Sequence, residues 1–270
     1  MTAAPAEHHV TIGGAVHGWC EAGQGGVPLL LLHGIGSNAA SWAAQLAGFG
    51  ATRRVLAWNL PGYGSSTPLP LPAPGPDDYV ESLQAFLAAR GVDRCDVVGH
   101  SLGGLLAGRL AVRAPGLLRR LVLSSPAAGY RVAAGEAALP ETLRARLADL
   151  ESLGPAGLAA RRAAGTVAPD TAPEILARVT AAMAAITPAG YRAAVWMLAR
   201  GDLAADGAAL RLPVLVIVGA ADRVTPPAKV AALAAQIPGA VFQIIPRAGH
   251  ASYADHEKEY GRIVSAFLDE

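Results

Sequence analysis

The sequence predicts an α/β fold with a mostly parallel sheet and one helical insertion. Three observations predict it. Short apolar runs alternate with longer Ala/Leu-rich stretches, as in strands joined through helices. The apolar runs are continuous rather than alternating, which fits strands buried on both faces. From Ala127 to Asp206 no strand-like run occurs, a stretch too long for an ordinary connection.

In chain order, "HHVTIGG" and "AVHGWCE" read as an antiparallel lead-in hairpin. The runs Val27–Gly34, Arg53–Asn59, Cys95–Ser101, Arg119–Ser125, Leu212–Gly219 and Ala240–Pro246 read as strands. Between them, Asn38–Gly50, Asp77–Arg90, Leu102–Arg113, Pro226–Gln236 and Asp255–Leu268 read as helices. The stretch "PLPLPAPGP" suits neither helix nor central strand, so it reads as a stiff surface loop. The insertion is helical, with breaks expected at Pro140, Pro155, Pro169, Pro173 and Pro188. The core is thus expected over residues 1–126 and 207–270, and the inserted region over 127–206.

Composition narrows the function. With 270 residues, 52% of them hydrophobic, the chain can bury a large core without disulfides or metals. A net charge of +1 argues against a dedicated nucleic-acid surface. Cys20 and Cys95 match no metal spacing or disulfide framework and fit a reducing setting. No apolar run reaches the ~20 residues needed to cross a bilayer. The opening "MTAAPAEHHV" lacks the pattern of a signal peptide. The expectation is a cytoplasmic protein with no membrane or nucleic-acid partner.

The stretch "DVVGHSLGGLLAG" carries the chemistry. It places Ser101 between Gly99 and Gly103, after a buried strand and before a small-residue helix. A nucleophile on a sharp strand-to-helix turn leaves no room for side chains two positions away. The helix N-terminus then offers a backbone N–H and a dipole to developing negative charge. A serine hydroxyl also needs a base. His8, His9 and His17 lie in the lead-in, His100 is bound into the turn itself, and His256 falls within the last helix. His250, in the loop after the last strand, shares a sheet edge with Ser101. Asp222 follows the preceding strand on the same edge and can orient the base, or cap the helix near Pro226. The three residues follow three different strands, in the chain order Ser…Asp…His.

The stretch "LLLLHGIGSNAASW" supplies a second backbone donor, so the N–H groups of Ile35 and Leu102 can meet at one carbonyl oxygen. "GIGSNA" also approaches the G-x-G-x-x-G/A dinucleotide fingerprint. That reading wants an acidic residue at the end of the next strand, where Asn59 stands.

Together, "HGIGSNAASW", "NLPGYGSS", "GHSLGG", "GAADRVTPP" and "AGH" resemble the successive signatures of the α/β-hydrolase superfamily. The resemblance covers the chain apart from the insertion. It implies an eight-stranded, mostly parallel sheet with a helical cap after strand six. It implies Ser101 as nucleophile, Asp222 as acid, His250 as base, and Ile35 and Leu102 as oxyanion donors. "MAAITPAGYRAAVWMLARGDL" with the following strand is most similar to 3-oxoadipate enol-lactonase-type esterases.

The chain departs from that pattern in two places. Asn59 stands where many relatives carry aspartate, a loop-supporting position, and Asp255 and Glu257 stand where glutamate then proline is common. A serine at the elbow sets the chain apart from dehalogenases and epoxide hydrolases of this fold, which use aspartate. Carbon–carbon hydrolases of the fold use serine but typically have asparagine at the position of His100. The expected activity is therefore cleavage of a small carboxylic ester or lactone, with no metal or organic cofactor. Carbon–carbon hydrolysis, a cofactor-free perhydrolase and a triad-bearing small-molecule receptor are the alternatives. Met183, Tyr191, Trp196 and Met197 are candidates to line a mainly aliphatic pocket under the cap, or equally to pack the cap on the sheet.

Overall fold

The computed structural model describes residues 5–136 and 138–270. The first four residues of the expected core and position 137 of the insertion lie outside the described residues. Eight strands form one sheet: β1 (Glu7–Ile12), β2 (Ala15–Ala22), β3 (Leu29–Leu32), β4 (Val55–Trp58), β5 (Cys95–His100), β6 (Leu118–Ser124), β7 (Val214–Gly219) and β8 (Val241–Ile245). The spatial order is β1-β2-β4-β3-β5-β6-β7-β8. β2 is antiparallel to both β1 and β4, and the remaining pairs are parallel. At the hairpin, Gly13 and Gly14 both have positive φ, as a two-residue turn that follows the strand twist requires.

The continuous apolar runs act as expected in the centre of the sheet. Leu30, Leu32, Val97, Val216 and Val218 enter one core, while Leu29, Leu31, Val98, Leu215 and Ile217 enter the other. Successive side chains of a strand point to opposite faces, so only a strand covered on both sides can be apolar throughout. Helices α2 (Pro76–Ala89), α3 (Leu102–Arg113) and α8 (Pro227–Ala234) cover the first face. Helices α1 (Ala43–Phe49) and α10 (Glu257–Leu268) cover the second. β8 departs from the pattern: it is an edge strand bonded only to β7, and Val241 and Ile244 are 48% and 46% exposed.

Between β6 and β7 the chain forms α4 (Glu141–Arg162), α5 (Pro173–Ala184), α6 (Pro188–Arg200) and α7 (Leu203–Ala209). Most of the prolines open helices rather than break them. Pro173 and Pro188 occupy first turns, where a missing N–H costs nothing, and Pro140 precedes α4. Only Pro155 lies inside a helix, beside Gly154, whose backbone (φ 63°, ψ 177°) marks a kink. The expected boundary at residue 206 cuts through α7. That helix packs on α3, with Leu203 against Gly108 and Asp206 3.1 Å from the Arg109 guanidinium. Helix α9 (Ser252–Asp255) leads into α10, and His256 stands between them rather than within the last helix.

β3 and β5 are neighbours, yet the chain leaves them toward opposite sides of the sheet, to β4 and β6. Their carboxyl ends therefore flank the crevice where open parallel sheets bind ligands. Asn59 supports that edge from β4. Its Oδ1 accepts from Ala39 N at 2.7 Å, and its Nδ2 donates to the Glu7 carboxylate at 2.6 Å. An aspartate would keep the first bond and set two carboxylates together in place of the second. We expect Asn59→Asp to lower stability by about 1 kcal/mol near neutral pH, and Glu7→Gln in that background to restore it, as read from urea unfolding.

Candidate active site

The turn after β5 is shaped by backbone crowding. Ser101 has φ 53° and ψ −114°, a conformation that costs of order 1–3 kcal/mol in a residue with a side chain. A Cβ on Gly99 would stand 2.3 Å from the Gly103 carbonyl oxygen, and one on Gly103 would stand 2.2 Å from the Leu32 carbonyl oxygen. Both neighbours are main chain and cannot yield, so the glycines are a steric requirement of the turn. Ser101 N donates to Ser124 O at 2.9 Å and so stitches the turn to β6. The hydroxyl makes no capping bond to α3, although the residue occupies the N-cap position. An ordinary turn serine would spend it there.

Asp222 and His250 meet at this edge. His250 Nδ1 lies 2.9 Å from Asp222 Oδ2, with both side chains nearly inaccessible to water. Asp222 also accepts from Val224 N at 2.8 Å, Thr225 N at 2.9 Å and Thr225 Oγ1 at 2.8 Å. The two roles read from the sequence thus coexist: the carboxylate ties its own loop and holds His250. Burial alone would raise the Asp222 pKa. The His250 hydrogen bond and charge, together with the Thr225 donors, outweigh it and hold the carboxyl at about 2. An ionised carboxylate only accepts, so Nδ1 of His250 is the donor in this bond and Nε2 takes no part in it. Among the described residues no hydrogen bond links Ser101 Oγ to His250. Such contacts are often long in unliganded enzymes and tighten around substrate.

Several polar residues that the sequence reading passed over hold this arrangement. His100 does more than fill the turn, for its Nε2 donates to the His250 carbonyl at 3.0 Å. Burial and the neighbouring His250 push its pKa down to about 3, so the ring stays neutral. Asp255 Oδ2 accepts from Gly249 N at 2.8 Å and from Ala168 N at 2.9 Å, tying the His250 loop to the insertion. His33 is held near a pKa of 4 by burial. It donates from Nδ1 to Gly34 O at 2.9 Å and accepts from Leu60 N at 3.1 Å. Tyr63 donates to Ile35 O at 2.8 Å, which helps to orient the turn after β3. Only the His-Gly pair directly after a strand hinted at His33. The partner of His100 lies 150 positions away, and the Ala168 partner of Asp255 lies 87 away.

Ser101, His250, Ile35 and Leu102 line one cavity of about 730 Å³ beneath the inserted helices. The N–H groups of Ile35 and Leu102 donate to no backbone carbonyl among the described residues. Met183 and Tyr191 line the cavity as expected, but Trp196 and Met197 do not. Helical period explains the correction. From Tyr191, the same face of α6 returns at Leu198, which does line the cavity, while Trp196 and Met197 point elsewhere. Met197 is fully buried in the core, and Trp196 packs partly exposed with the Arg200 guanidinium 5.5 Å from its ring centre. On α5 the pair Val179 and Met183, one turn apart, faces the cavity. Beside these apolar residues, the cationic side chains of Arg146, Arg161, Arg162, Arg223 and Lys229 also line the cavity.

The alpha/beta hydrolase family matches residues 29–262. The chain belongs to that family. This α/β-hydrolase is 32% identical over 261 residues to the 2-hydroxymuconate semialdehyde hydrolase of Pseudomonas putida, covering 91% of this chain and 88% of that one. It is 30% identical over 264 residues to the pimeloyl-[acyl-carrier protein] methyl ester esterase of Aeromonas hydrophila, covering 90% and 96%. It is also 31% identical over 260 residues to part of polyketide synthase ThaQ of Burkholderia thailandensis, covering 92% of this chain and 12% of that protein's length. The crystal structure of the enol-lactonase from Burkholderia xenovorans LB400 superposes with a TM-score of 0.86 at 24% identity, over 97% and 100% of the two chains, and shares the fold. No helix among the described residues is long and apolar enough to cross a membrane.

Two expectations follow for this α/β-hydrolase. The folded state holds Asp222 below its ordinary value of 3.8, so that ionised carboxylate stabilises the fold above about pH 4. Its contribution, about 2 kcal/mol, fades as the pH falls toward 2. In acid titrations of stability, Asp222→Asn should show a shallower loss over that interval than wild type. Separately, Asp255→Asn should speed amide hydrogen exchange at Gly249 and Ala168, with little change at the central strands.

Proposed function

We infer that this α/β-hydrolase is a serine hydrolase that cleaves a small carboxylic ester or lactone through an acyl-enzyme. The observation that carries the reading is Ser101. It is held in a strained turn with its hydroxyl free of capping duty, in one cavity with a histidine whose far nitrogen is bonded to a buried carboxylate.

Ser101 Oγ attacks the substrate carbonyl carbon as its proton passes to His250 Nε2. Negative charge collects on the carbonyl oxygen, where the amides of Ile35 and Leu102 stabilise it. Donors that need no reorganisation at that moment are each worth about 3 kcal/mol. The oxyanion collapses, the alcohol leaves with the proton from His250, and the acyl group stays on Ser101. His250 then takes a proton from water, whose oxygen attacks the acyl carbon. The acid departs and Ser101 recovers its proton. For a lactone, alcohol and acid leave as one hydroxy acid. Asp222 keeps the proton on Nδ1 and stabilises the imidazolium. Thr225 supports Asp222, and His100 fixes the backbone of His250.

Likeness to a methyl ester esterase over nearly its whole length supports the ester reading. The likeness to a 2-hydroxymuconate semialdehyde hydrolase supports a second one, hydrolysis of a carbon–carbon bond by the same groups. The test begins with a fluorophosphonate and intact-protein mass. Wild type should label once, at Ser101; Ser101→Ala should not label, and His250→Ala should label far more slowly. On p-nitrophenyl esters, Ser101→Ala should lower kcat by about 10⁴- to 10⁶-fold. A folded wild type that neither labels nor turns over esters or lactones would sink the reading. Turnover of a vinylogous diketone without esters would select the second.

A further inference from the structure

The cavity around Ser101 is strongly cationic in a chain that is nearly neutral. Across the sequence, 22 lysines and arginines are balanced by 21 aspartates and glutamates. Yet five cationic residues and no carboxylate, among the described residues, line this cavity. They come from two parts of the molecule. Arg146, Arg161 and Arg162 project from α4 of the insertion, Arg223 from the loop after β7, and Lys229 from α8. Arg161 and Arg162 pair with one carboxylate, that of Asp149, whose charge Arg146 also feels without an ion pair of its own, and Arg223 and Lys229 enter no ion pair among the described residues. Elsewhere the arginines are used differently: Arg53, Arg54, Arg90, Arg109 and Arg119 all bond carboxylates.

Unpaired like charges around one cleft repel each other and destabilise the fold slightly unless an anion enters. A single exposed charge attracts weakly because water and salt screen it. Several charges converging on one walled cleft raise its potential together and concentrate anions there. Guanidinium groups add planar donor pairs that match carboxylate and phosphate oxygens. The apolar stretch of Val179, Met183, Tyr191 and Leu198 lines the same cavity. A ligand suited to both features has a short apolar spacer with an anion at one end.

We propose that the substrate carries an anionic head, carboxylate or phosphate, remote from the bond that is cleaved, and that Arg146, Arg223 and Lys229 hold it. This deepens the ester-hydrolase reading and rests on it for the reacting end alone. The substrate is then an ester that also carries an ionised acid group, rather than a neutral fatty ester. With a carboxylate head on the acyl side, hydrolysis releases a dicarboxylate.

Two substrates of equal length test this: mono-p-nitrophenyl adipate, which ends in a carboxylate, and p-nitrophenyl hexanoate, which ends in a methyl group. Wild type should favour the adipate in kcat/KM by about tenfold or more, and the ratio should fall as ionic strength rises. In the triple variant Arg146→Gln, Arg223→Gln, Lys229→Gln, the ratio should fall toward one. A charge-retaining Arg146→Lys, Arg223→Lys variant should keep most of it. A ratio near one in wild type, or one unchanged in the triple variant, overturns the proposal, and a general loss of activity on both esters counts as unchanged.

Calorimetry with Ser101→Ala keeps the two readings apart, because it needs no chemistry. Monomethyl adipate or hexyl phosphate should bind measurably and methyl hexanoate should not, and the tighter anion identifies the head group. Binding of an anion by a protein that turns over no ester would leave the anion site and remove the hydrolase. Turnover of the hexanoate with no anion binding would do the reverse.

Discussion

The contact of main chain with main chain at the end of β5 is what the site is built on. Gly99 faces the Gly103 carbonyl and Gly103 faces the Leu32 carbonyl, at distances no side chain could share. Those contacts bring β5, α3 and β3 together and hold Ser101 at a positive φ. They also set the amide of Leu102 and the turn of Ile35 on one cavity. The strain of that turn is local. The covering of the central strands on both faces supplies the stability that sustains it.

His250 belongs to a loop, and loops move more readily than sheets. Here the loop is restrained from several sides. His100 of β5 holds the His250 carbonyl, Asp255 of α9 holds Gly249 N, and Thr166 O of the insertion accepts from Ala251 N at 2.7 Å. The ring itself is held by Asp222. Two of these anchors, Thr166 and the Ala168–Asp255 bond, involve the inserted region. The segment that roofs the cavity therefore also braces the histidine beneath it. Electrostatics follow the same division of labour: Asp222 is kept charged, while His33 and His100 are kept neutral by burial.

Much of this was legible in the order of residues, and the limits have physical causes. Strands β3 to β7 could be read because burial on both faces demands runs of apolar residues, interrupted in β5 and β6 by Asp96 and the Arg119 that pairs with it. β8 was read with them, but its place at the sheet edge exposes Val241 and Ile244. Ser101 announced itself through flanking glycines. Asp222 and His250 were found because each follows a strand whose carboxyl end lies on one edge. Between the two roles open to Trp196 and Met197 the sequence could not choose, because a helix has one cavity-facing stripe and residue type does not say which; both pack on the core. From Tyr191 the period of 3.6 leads to Leu198 instead.

The sequence by itself determined the order of strands and helices, the elbow and the three residues at the sheet edge. Periodicity and sterics act between near neighbours, so local pattern carries them. Only the tertiary structure decided that His100 holds the His250 carbonyl, that Asp255 binds the insertion to the histidine loop, and that cations from α4 and α8 share one cavity with Ser101. Each joins residues dozens of positions apart or more. Hydrogen bonds and electrostatic fields depend on distance in space, and folding alone sets that distance.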